Sequence, residues 1–107
     1  MEIKSDLNQI RDEINQGDRE IVKLLEKRFD LALNIGIGKS MNNRPVPDDE
    51  REKFVIENCV KMLKDAKYDS YLRKIYIEII NNCKDIQRNE IKMMWFIQRK
   101  LNTLNHS

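Results

Sequence analysis

One seam of the first forty residues mixes apolar side chains with charges. Steps of three and four give Leu7, Arg11, Ile14, Asp18, Ile21, Leu25, Arg28, Ala32, Ile35 and Lys39. Residues so spaced share one face of an α-helix. The spacing predicts a helix from Ser5 or Asp6, either of which can cap it, to about Lys39. Gly17 costs about 1 kcal/mol in a helix interior, which a long helix absorbs. The element is therefore read as continuous, with a break at Gly17 and a new cap at Asp18 as the lesser alternative. Gly36 and Gly38 weaken its far end.

The stretch Met41-Asn42-Asn43-Arg44-Pro45-Val46-Pro47 holds two prolines and excludes a regular helix interior. Asp48 or Asp49 then caps a second helix, with acids in its first turn as the helix dipole favours. Its apolar stripe is Phe54, Val55, Cys59, Met62 and Leu63, and it is expected to end around Lys67. A third helix carries Leu72, Ile75, Tyr76, Ile79, Ile80, Cys83, Ile86, Gln87, Ile91 and Met94, and runs to Leu101 or beyond. No strand signal, repeat or low-complexity tract interrupts this all-α reading.

Length turns these elements into a prediction about assembly. A helix from Asp6 to Lys39 is roughly 50 Å long. A compact domain of this size has a radius of gyration of about 13 Å. One chain cannot cover both sides of so long a rod. An intertwined helical homodimer, three helices per chain, is the expected solution.

Composition narrows the chemistry. The 107 residues suit one domain; 40% are hydrophobic and 36% charged, with a net charge of only +2. Acids and bases interleave, and no basic block alternates with aromatics, so nucleic acid is not an expected partner. Cys59 and Cys83 form no CxxC, and the single histidine, His106, sits near the chain end, so no metal site is expected. Nothing is long and apolar enough to span a bilayer, and the first residues lack the apolar core of a signal peptide. The expectation is a soluble cytoplasmic protein with reduced thiols and no membrane partner.

Arg11, Arg28 and Lys39 are the informative residues. Cations on a core-facing stripe need anionic partners, because burying an unpaired charge is costly. Each taken singly has a plainer reading, as a partner of a structural carboxylate or as a side chain that snorkels to water. Three on one seam are harder to explain so, since Asp18 is the only acid beside them. Gln87 lies on an apolar face, where a core amide is more often structural. Cys83 reads as a small buried hydrophobe. The run Met93-Met94-Trp95-Phe96-Ile97 reads as core or dimer contact, because Lys92, Arg99 and Lys100 form no sustained basic face.

Together these residues resemble the all-helical, AroQ-type chorismate mutases. The resemblance rests on Ile10-Arg11-Asp12-Glu13-Ile14, Asp18, Leu24-Leu25-Glu26-Lys27-Arg28, Gly36 and Lys39. It continues through Arg44-Pro45-Val46-Pro47-Asp48-Asp49-Glu50-Arg51-Glu52 and ends at Gln87. It spans about residues 6–91 of a single domain, 1–107, and leaves 92–107 as a helical C-terminal extension.

The resemblance implies rearrangement of chorismate to prephenate in aromatic amino-acid biosynthesis, without a cofactor. It implies an entwined dimer in which Arg11 serves the partner's site. Arg28, Lys39, Asp48, Arg51, Glu52, Cys83 and Gln87 would come from one chain. Arg11 and Arg28 would grip the substrate carboxylates, with Arg51 adding positive charge near them. Lys39 and Gln87 would meet the ether oxygen, and Glu52 would accept a hydrogen bond from the ring hydroxyl. Asp48 would act through a backbone N–H or by ordering the loop. One departure is Cys83, where better-known members carry serine; a thiol is the poorer hydrogen-bond donor. Two other functions fit the same pattern: an isochorismate–pyruvate lyase on this fold, and a non-catalytic regulatory subunit for another shikimate-pathway enzyme. The Asp48…Arg51-Glu52 arrangement argues against the first. The complete cationic set argues against the second.

Overall fold

A computed structural model describes residues 6–41 and 49–105, with side chains for all of these except 39–41. The described residues form helices joined by a short turn, with no strand among them. Helix α1 spans Leu7–Met41, α2 spans Asp49–Lys61 and α3 spans Asp69–Asn105. Asp6 caps α1: its Oδ1 accepts from the Asn8 amide at 3.0 Å, and its carbonyl accepts from Ile10 at 3.1 Å. The helix passes through Gly17 without a break, as the continuous reading expects.

α2 is shorter than its apolar pattern suggests, ending at Lys61 and not near Lys67. The amides of Met62 and Leu63 turn back to the carbonyls of Cys59 and Val60, both at 3.1 Å, and tighten the last turn. Asp65 then accepts from the Lys67 amide and caps a short 3-10 helix, Ala66–Tyr68, which leads into α3. A local side-chain bond to the backbone thus outcompetes continuation of α2. Two members of the expected α2 stripe are also on the surface: Phe54 and Met62 are both more than half exposed. The Arg51 guanidinium lies over the Phe54 ring, 5.6 Å from its centroid.

α3 packs along both α1 and α2. Arg28 meets Cys83 and Ala32 meets Gln87, so position rises together on the two helices and α1 runs parallel to α3. The first turns of α1 and the last turns of α3 therefore extend past this overlap in opposite directions. The result is a thin particle of 73 × 32 × 15 Å with a radius of gyration of 19.7 Å.

The apolar core of one chain is correspondingly small. Ala32, Ile80 and Cys83 are its buried hydrophobic members among the described residues. Leu7, Ile14 and Ile21, on the α1 seam, are each more than half exposed, and so are Met93, Trp95 and Phe96 on α3. The Met93–Ile97 run is not core within one chain. The accessible surface is 9482 Å². A compact monomer of 12.8 kDa would expose about 6,300 Å².

Candidate active site

The site lies where the three helices converge, beside that small core. α1 contributes Arg28, Leu31, Ala32 and Ile35; α2 contributes Arg51, Glu52 and Val55; α3 contributes Ile80, Cys83, Lys84 and Gln87. They enclose a cavity of about 340 Å³. Its walls are apolar, with polar groups at a few points, as expected of a small-molecule pocket. Three cations face a single carboxylate across it, which favours a small anionic ligand.

Each polar group is held by a neighbour. Arg28 directs Nη1 to the Cys83 sulfur at 3.1 Å, a weak acceptor that takes one of its five donors. Gln87 donates through Nε2 to the Ala32 carbonyl at 2.7 Å. An amide nitrogen carries two hydrogens, so this bond fixes the side chain and leaves a second N–H. Gly36 makes room for it: a Cβ there would stand 2.7 Å from Gln87 Cγ. Glu52 pairs with Lys84, Oε1 to Nζ at 2.7 Å. Beside Arg28, the phenol of Tyr76 is hydrogen-bonded with Cys59 and partly buried. Both effects hold it above its ordinary value and outweigh the opposite pull of Arg28.

Five of the eight residues expected from sequence meet at this cavity: Arg28, Arg51, Glu52, Cys83 and Gln87. Arg11 does not. It is exposed on α1, seventeen residues before Arg28, which is roughly 25 Å along the helix. Asp48 and the Lys39 side chain lie outside the described residues. Sequence reasoning missed Lys84, although it sits one residue after Cys83 and one turn before Gln87. It also missed the role of Gly36 in admitting Gln87.

Fold and site together define an all-helical protein with a cationic pocket for a small anion. The family model of chorismate mutase type II matches residues 10–88, and the chain belongs to that family. A bifunctional chorismate mutase/prephenate dehydratase of Buchnera aphidicola subsp. Schizaphis graminum is 41% identical over 81 residues. The match covers 75% of this chain and 21% of that protein. A bifunctional protein of the same name from Aquifex aeolicus is 34% identical over 87 residues, 78% of this chain and 24% of its own length. The chain thus spans about a fifth to a quarter of these bifunctional relatives. A chorismate mutase of Methanocaldococcus jannaschii is 30% identical over 87 residues, which is 80% of this chain and 88% of that protein.

Proposed function

We propose that this chain converts chorismate to prephenate in aromatic amino-acid biosynthesis. The observation that carries the reading is the convergence of Arg28, Arg51, Glu52, Cys83 and Gln87 on one cavity in a chain of this family. The reaction is intramolecular: a C–O bond breaks as a C–C bond forms, and no atom leaves or joins. It asks for a folded substrate conformer and for stabilisation of charge that builds on the ether oxygen. Arg28 of one chain and Arg11 of its partner suit the two carboxylates, with Arg51 adding positive charge near them. The second N–H of Gln87 suits the ether oxygen, with Lys39 as its cationic partner. Glu52 suits the ring hydroxyl as a hydrogen-bond acceptor.

The proposal includes an entwined homodimer. The unused apolar seam of α1, the excess surface and the distance from Arg11 to its own cavity all support it. In this arrangement Arg11 completes the cavity of the partner chain. The reading also includes a cytoplasmic location, in keeping with two free cysteines, Cys59 and Cys83. Among the described residues no helix is long and apolar enough to cross a membrane.

Chorismate and isochorismate offered separately to the purified chain test the activity. Prephenate from chorismate, read as phenylpyruvate after acidification, is expected. Salicylate and pyruvate from isochorismate, with chorismate unchanged, would replace the mutase by a lyase. Sedimentation at micromolar concentration should give twice the chain mass; a single-chain mass would remove the dimer.

A further inference from the structure

The Lys84–Glu52 pair joins α3 to α2 across the cavity wall. Its side chains are only 21% and 24% exposed, so solvent screens the contact less than it would a surface pair. Lys84 is close enough to hold the carboxylate in one rotamer through Oε1, and both residues line the cavity. Glu52 has a further source of restraint, since it lies in the first turn of α2, where the helix dipole favours an anion. The dipole sets no direction for the side chain; the ammonium does.

We propose that Lys84 is a positioning residue that fixes Glu52 as the acceptor for the hydroxyl of the bound substrate. The inference rests on the mutase reading for the identity of that hydroxyl. A carboxylate without its lysine samples several rotamers, and the ligand hydroxyl then meets a misplaced acceptor. Arginine at 84 preserves the cation and can still reach α2. Methionine preserves the length and removes the charge.

The test compares wild type, Lys84→Met, Lys84→Arg, Glu52→Gln and the double variant Lys84→Met/Glu52→Gln. Lys84→Met is expected to lose roughly ten- to a hundredfold in kcat/KM for chorismate. Lys84→Arg should recover most of that loss. The double variant should be no worse than Glu52→Gln alone, because two residues acting as a unit are not additive. With a chorismate analogue lacking the ring hydroxyl, the Lys84→Met penalty should disappear, which a merely structural role would not produce. Losses that multiply in the double variant, or a penalty that persists on the analogue, would overturn the proposal and make Lys84 a direct substrate ligand or a structural tie.

If the wild type leaves chorismate unconverted, the mutase reading fails, and the pair is read without turnover. The Lys84 ammonium resonance should be protected from exchange with water in the free protein and lose that protection in Glu52→Gln. Equal exchange in both proteins would overturn the proposal independently of activity.

Discussion

Gln87 donates its side-chain amide to the main-chain carbonyl of Ala32 at 2.7 Å, across the parallel packing of α1 and α3. One turn beyond Ala32, Gly36 is buried and presents no Cβ to the same glutamine. The amide is therefore held by one helix at two points, a bond and a space.

Gly36→Ala should displace that amide. The added Cβ would lie 2.7 Å from Gln87 Cγ and 3.1 Å from its Cβ, and Cβ cannot swing aside as a side-chain tip can. Alanine gains about 1 kcal/mol in helix propensity, against about 1–3 kcal/mol for overpacking. Thermal stability should therefore fall by at most about 2 kcal/mol, while kcat should fall roughly a hundredfold. A variant with unchanged kcat would show that the placement of Gln87 does not matter.

Gln87→Ala and Lys39→Ala should each lower kcat roughly a hundred- to a thousandfold, the effect of losing one donor to a developing oxyanion. Gln87→Glu gives a signed pH effect. A carboxyl group donates only when protonated, so this variant should gain activity as pH falls toward and below the ordinary carboxylate range. A pH–rate profile parallel to that of wild type would contradict a donor role.

Arg73 gives a stability prediction. It contacts Asp69 through Nε and Glu57 through Nη1, each at 2.5 Å, and joins the end of α2 to the start of α3. Its hydrogen bonds and charge hold the Glu57 carboxyl below its ordinary 4.5. A depressed carboxyl contributes stability above its ordinary value and loses it as pH falls through the lower folded value. Arg73→Ala should thus lower Tm by a few degrees at pH 7, because the pair is exposed, and the gap should close in acid. A gap of equal size at pH 7 and pH 2 would contradict this linkage.

The long helices were legible because their apolar period persists through Gly17, where tertiary packing and length outweigh one poor helix former. The end of α2 was not, because Met62 and Leu63 continue the apolar pattern while Asp65 builds a competing cap. That Arg28, Arg51, Glu52, Cys83 and Gln87 belong together was legible through the family resemblance, and they line one cavity. Lys84 was not: it lies off the α1 seam that drew attention to cations, and its carboxylate is 32 positions earlier in the chain. The exposure of Ile14 and Ile21 has the same origin as the predicted dimer. A seam can be apolar in sequence and still find no cover within its own chain.

If two chains build one working pocket, mixing two single variants should restore it. Arg11→Ala and Arg28→Ala should each lose at least about a hundredfold in chorismate conversion. Unfolded together in equal amounts and refolded, half of the dimers should be mixed. Each mixed dimer would carry one site with Arg28 from one chain and Arg11 from the other, restoring about a quarter of wild-type activity per chain. A mixture no more active than its separate components would contradict the shared site.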